Sequence, residues 1–179
     1  LPNRYPHATY AAMVTHIDKQ VGDLVQKLKD LGIWENTIFI VTSDNGPASN
    51  GNSPMEYFRS GGPFKCGKGW GKSSLHEGGI RMPFVLRWGE GKQCEKIQHI
   101  SSFADIMPTL AEIVGVEAPE NDGVSFAPTV LSQTAGGQQY SHASGIKAGE
   151  QKEHEYLYWE FPGSKGWVAV RMGEWKGIV

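Results

Sequence analysis

The sequence predicts an α/β fold that passes into a small antiparallel sheet, and three stretches carry that reading. Ala8 to Leu31 repeats apolar side chains at helical spacing, and Thr37 to Thr42 is an uncharged run of β-branched and aromatic residues. Tyr156 to Val179 alternates aromatic and β-branched runs with turns. A helix followed closely by a strand is half of an α/β repeat.

In the first helix, Val14, Ile17, Val21, Leu24, Leu28 and Leu31 follow steps of three and four, while His16, Asp18, Lys19, Asp23, Lys27 and Lys29 fall mostly on the other side. Gly32 is the expected stop. The run T-I-F-I-V-T then reads as a strand buried on both faces of a mainly parallel sheet flanked by helices. It ends in S-D-N-G-P, so Asp44 and Asn45 fall at the carboxyl end of a strand, where ligands bind in open α/β sheets. An acid beside an amide offers hard oxygens to calcium or magnesium, but Asp-Asn-Gly is also a common turn sequence, and both readings stand on these residues alone.

From Pro47 to Leu75 the chain is glycine-rich and lacks periodicity, and it mixes Tyr57, Phe58, Phe64 and Trp70 with Arg59, Lys65, Lys68 and Lys72. A loop of this length in a compact domain usually carries function, and aromatics with cations suit an anionic ligand bearing a ring. A surface loop with scattered lysines is the alternative. Phe84 to Trp88 forms a second short apolar strand. Ile97 to Phe103 reads as a third, Asp105 as the cap of a helix from Ile106 to Val114, and Gly115 as its stop. Phe126 to Leu131 is a short helix. Ser132 to Glu153 is a polar loop, with His142 and His154 in or beside it expected to be solvated.

Composition excludes several classes. With 179 residues, 39% of them hydrophobic, the chain is long and apolar enough for a proper core. A net charge of -2 with no basic stripe argues against nucleic acid. No apolar run reaches the roughly 20 residues of a membrane span. Cys66 and Cys94 are too few for a disulfide framework and lack metal-ligand spacing. The opening residues look like a connector and the last like a strand cut in mid-course, so a fragment of a longer protein is expected.

Several segments, in order and across nearly the whole chain, resemble one family. They are Y-A-A-M-V-T-H-I-D-K-Q-V-G-D-L, T-S-D-N-G-P, G-K-S-S-L-H-E-G-G-I-R-M-P-F, F-A-D-I-M-P-T-L-A-E-I-V-G, D-G-V-S-F-A-P-T-V-L and A-V-R-M-G-E-W-K. The set is similar to the sulfatases of the alkaline-phosphatase-like superfamily. The resemblance implies an α/β sandwich of that type, with residues 1–132 forming the carboxy-terminal part of its catalytic domain, 133–154 a linker, and 155–179 the start of a small antiparallel subdomain. A sheet cut there would expose an edge and an apolar face, so association or partial disorder is expected there.

By the same resemblance, Asp44 and Asn45 match a pair supplying part of a calcium site, and Lys72 matches a lysine that contacts the sulfate and assists the leaving group. Lys68 competes with Lys72 if the loop is shifted, although the spacing from Lys72 to Glu77 is the family's. His76 stands where an aromatic residue is common, as a substrate contact or in packing. Glu77 and Arg81 are expected to hold the Gly78-Gly79 turn. Trp159, Glu160 and Arg171 are candidates for the rim of a substrate pocket, with core packing the alternative for Trp159.

The sequence departs from the family in one chemical respect. Sulfatases use a formylglycine made from the Cys or Ser of a C-x-P-S-R type motif, and neither Cys66 nor Cys94 lies in one. The nucleophile, the paired acids that complete the calcium site and other sulfate contacts are expected in a missing amino-terminal segment, so the chain alone is expected to be inactive. The expected partners are that segment and a sulfated small molecule or glycan. Family members are mostly exported or lysosomal, which implies a periplasmic or secreted origin. Two other readings remain open: a non-catalytic module binding anionic sugars through Arg59, Lys68 and Lys72, and a metal-dependent phosphoesterase of the same superfamily.

Overall fold

A computed structural model of the chain describes residues 5–48, 54–88, 96–133, 151–163 and 166–179. Helix α1 spans Pro6–Asp30, with proline in its first turn, where the missing N–H is no loss. It ends as expected at Gly32 (φ +68°). There the Gly32 and Ile33 amides donate to Lys29 O and Leu28 O, a Schellman arrangement that needs the left-handed residue. No residue of α1 is buried, and Val14, Ile17 and Leu24 are exposed along its apolar stripe. Periodicity identifies the face a helix can bury, and the described residues cover this one only in part, with Val21 and Leu28 half-buried.

Strand β1 (Phe39–Thr42) pairs with β2 (Phe84–Arg87), and the pairing is antiparallel, with Ile40 opposite Leu86 and Val41 opposite Val85. This differs from the expected parallel strand buried on both faces. Val41 and Thr42 are exposed, and the described residues pair β1 with β2 alone. The α1–β1 connector is pinned to β2 by Arg87, whose guanidinium lies 3.9 Å from the Trp34 ring centroid. The same group donates to Trp34 O at 2.8 Å and to Glu35 at 2.7 Å.

The core lies beyond this pair. Trp88, Ile113, Phe126, Ala127, Val130 and Leu131 bury together, with Ile38 and Leu86 packed against them. They join the sheet to α3 (Ile106–Val114) and α4 (Ala127–Gln133). Each large side chain in such a cluster is worth roughly 1.5–3 kcal/mol of burial.

Two expectations near α3 are corrected. Ile97 to Ser102 forms no strand; it is irregular backbone ending in a 3-10 turn, Phe103–Asp105. Asp105 stands at the N-cap position of α3, as expected, but does not cap α3 with its side chain. Its carboxylate accepts from Ser102 N at 2.6 Å, closing a capping box around the 3-10 turn, and from Val124 N at 2.8 Å. It also meets His154 Nε2 at 2.8 Å. His154, with its side chain 11% exposed, is therefore a partner of a buried acid and not a solvated residue. His142 and Cys94 lie outside the described residues.

The expected meander is present. Strands β3 (Leu157–Phe161), β4 (Trp167–Met172) and β5 (Trp175–Ile178) form one antiparallel sheet in chain order. Strand β5 lies at its outer edge, with Trp175 84% exposed. No described helix is long and apolar enough to cross a membrane.

Candidate functional site

The polar end of β1 is tied into place by the backbone of two later segments. Thr42 Oγ1 donates to Pro83 O at 2.8 Å, Ser43 Oγ to Asn45 O at 3.0 Å, and Asn45 Nδ2 to Gly46 O at 2.8 Å. With the amide nitrogen used in this way, the Asn45 side-chain oxygen is the atom left to ligate. The Gly46 amide donates to Gly79 O at 2.8 Å, and the Lys72 amide to Pro47 O at 2.8 Å. Glycine is required at both approaches. A Cβ on Gly46 would stand 1.9 Å from Gly78 O, and one on Gly71 would stand 2.5 Å from Pro47 O.

This lacing brings Asp44, Asn45 and Lys72 to the lining of one cavity of about 620 Å³. Asp44 and Lys72 are exposed and Asn45 is half-buried. Ser73, beside Lys72, holds φ +68°, a conformation unusual outside glycine that turns the chain where the lysine is presented. Phe103, Tyr158 and Trp159 contribute aromatic surface to the same cavity. It therefore combines a carboxylate, an amide and an ammonium with apolar walls, a composition suited to an anionic group attached to a ring.

The other candidates lie elsewhere. Lys68 is exposed and does not line this cavity; the preceding Gly67 (φ +120°) lies against Glu56. His76 is held in an aromatic stack, 4.0 Å from Trp70 by ring centroid and edge-on to Trp167 at 5.8 Å. Burial, with Lys176 and Lys65 nearby, keeps its pKa below the usual histidine value, so the neutral ring is favoured there. Lys65 caps the same stack, 3.8 Å from the Trp70 ring. Glu160 accepts from Tyr158 Oη at 3.3 Å, and Arg171 turns toward Gly173 O and Glu77.

Glu77 is more heavily used than its i,i+4 pairing with Arg81 (3.2 Å) indicates. It opens the short helix α2 (Glu77–Ile80) and meets Lys176 at 2.8 Å and Arg171 at 3.6 Å. Burial pushes its carboxyl upward, but hydrogen bonding and charge from Lys176, aided by Arg81 and Arg171, hold it below the usual carboxylate range. Sequence reading missed Lys176 and Arg171 as its partners, and His154 as that of Asp105. No local spacing signals contacts between segments so far apart in the chain.

For a calcium ion, the donor chemistry of Asp44 and Asn45 fits one part of a site. The ion takes six to eight oxygens, and among the described residues no three of His, Cys, Asp and Glu converge to hold a metal. For a formylglycine the chain does not fit: Cys66 precedes G-K-G and Cys94 precedes E-K-I.

Comparison with known proteins agrees with the resemblance. The sulfatase family model matches residues 2–116. Human N-acetylgalactosamine-6-sulfatase is 29% identical over 92% of this chain and 31% of its own length. The N-acetylgalactosamine-6-O-sulfatase of Bacteroides thetaiotaomicron is 26% identical over 98% of the chain and 34% of its own length. Human arylsulfatase A is 31% identical over 89% of the chain and 28% of its own length. The chain thus spans about a third of the curated relatives it matches.

Proposed function

The chain belongs to the sulfatase family, and on that premise we propose that it is the carboxy-terminal part of a sulfatase catalytic domain whose whole protein hydrolyses sulfate esters of aryl or carbohydrate alcohols. The family's fold is α/β and alkaline-phosphatase-like; we read residues 1–132 as part of its catalytic unit, joined through 133–154 to the subdomain of 155–179. The parallel sheet and the formylglycine nucleophile belong, in this reading, to the rest of the protein.

The observation that carries the reading is the meeting of Asp44, Asn45 and Lys72 at one cavity. Asp44 and the Asn45 side-chain oxygen would hold part of a calcium ion's shell. When bound, that ion offsets negative charge on the sulfate oxygens. Lys72 is the cation of the pair of lysines that faces the cavity. Its ammonium would bind the sulfate and donate a hydrogen bond to the ester oxygen, where charge grows as the alcohol departs. Phe103, Tyr158 and Trp159 would hold the ring carrying the ester and keep water from its face.

Calcium calorimetry tests the metal half of this reading. The full-length protein should bind calcium, Asp44→Ala should abolish binding, and this chain alone should bind it weakly. Tight, Asp44-dependent binding by this chain alone would overturn the split site. Binding indifferent to Asp44→Ala would remove Asp44 from it.

A further inference from the structure

Glu77 stands where three cations converge. Lys176 Nζ is 2.8 Å from its Oε1, and Arg81 and Arg171 approach Oε2 at 3.2 and 3.6 Å. Lys176 and Arg171 belong to β5 and β4 and are well shielded, their side chains 11% and 19% exposed. Lys176 also lies 5.1 Å from the ring centroid of Trp159 on β3, which lines the cavity. One carboxylate thus fastens the last hairpin to the start of α2. Without its charge, Lys176 and Arg171 would face each other at shielded positions, with the exposed Arg81 beside them.

The residues that follow Glu77 are packed closely against the backbone of neighbouring segments. Gly78 and Gly79 are buried; a Cβ on Gly78 would stand 2.1 Å from Lys65 O, and one on Gly79 would stand 2.2 Å from Ser74 O. Gly79 O in turn receives the Gly46 amide, one residue beyond Asn45. A shift at Glu77 therefore passes through backbone contacts to the Asp44-Asn45 turn.

We propose that Glu77 is a positioning residue, clamping the β4–β5 hairpin onto the Gly78–Gly79 turn and through that turn fixing Asp44 and Asn45 and the aromatic wall of the cavity. The metal-binding part of this proposal rests on the reading of Asp44 and Asn45 as calcium ligands. The clamp makes the carboxy-terminal sheet a working part of the site, so loosening the sheet loosens the turn.

Hydrogen exchange and calcium calorimetry on the full-length protein test it, with Glu77→Gln, Lys176→Met and Lys176→Arg compared below the melting temperature of each. Glu77→Gln should raise amide exchange in the segments holding Gly46 and Gly79 roughly tenfold and weaken calcium binding by a similar factor. Lys176→Met should act in the same direction with a smaller effect, and Lys176→Arg should restore wild-type behaviour. A fall in melting temperature with unchanged exchange at Gly46 in both Glu77→Gln and Lys176→Met would overturn the clamp. Should the wild-type protein take up no calcium, the metal reading fails separately and exchange at Gly46 alone decides the clamp.

Discussion

The Gly46 amide donates to the Gly79 carbonyl at 2.8 Å, and this one bond joins the turn after β1 to the turn that opens α2. Both ends of the contact are closed to side chains. Much of the candidate site depends on it, because Asp44 and Asn45 lie on one side and Glu77 on the other.

Gly46→Ala should therefore be costly. Its methyl would meet Gly78 backbone at 1.9 Å, and overpacking of this kind costs about 1–3 kcal/mol or more. Gly22 in α1 is the internal control: nothing lies within 4 Å of its Cβ position, so Gly22→Ala should stabilise by about 0.5–1 kcal/mol. Urea denaturation midpoints of the two variants should move in opposite directions.

Asp105 should tolerate little change. Its fully buried carboxylate accepts from Ser102 N and Val124 N and pairs with His154. Asp105→Ala removes all three contacts and should cost about 3–5 kcal/mol. His154→Ala should cost less, since the two backbone bonds to the acid survive. Equal losses in the two variants would contradict this division.

Stability should rise with pH through the histidine range. His76 is held below its ordinary 6.5 by burial, Lys176 and Lys65. His99 is held below it by burial and His154, against the opposing pull of Asp105 and Glu153. For both, the unfolded chain takes up protons first as pH falls, so stability present above about 6.5 is lost as pH drops toward the folded values. Glu77, depressed below 4.5, adds a second loss at lower pH still. Urea midpoints at pH 7.5 and 5.5, about one unit either side of the free histidine value, should show the slope. His76→Phe, which keeps the stack without the titration, should reduce it and leave the part due to His99.

The legible parts of this chain were those encoded by neighbours. Helix α1, the Gly32 and Gly115 stops and the three strands of the meander follow from spacing and turn chemistry within a few residues. The run Thr37 to Thr42 gave a strand but not its partner or direction, since β-branched residues suit parallel and antiparallel ladders alike. Ile97 to Phe103 was misread because its apolar residues resemble a strand, while the Ser102–Asp105 capping box that bends the chain is written in two polar side chains. Backbone packing separates the two lysines in space: Gly71 fits beneath Pro47 and carries Lys72 to the cavity, which Lys68 does not line. The clamp at Glu77 was only half visible, because Lys176 lies 99 positions away.

Sulfate release by the full-length protein from an aryl sulfate, comparing wild type, Lys72→Ala and Lys68→Ala, tests the central claim most directly. The wild type should release sulfate, Lys72→Ala should lose roughly a hundredfold or more in kcat/KM, and Lys68→Ala should stay within about twofold. A wild type that releases none from an aryl sulfate and none from a sulfated sugar, or a loss confined to Lys68→Ala, would contradict the account.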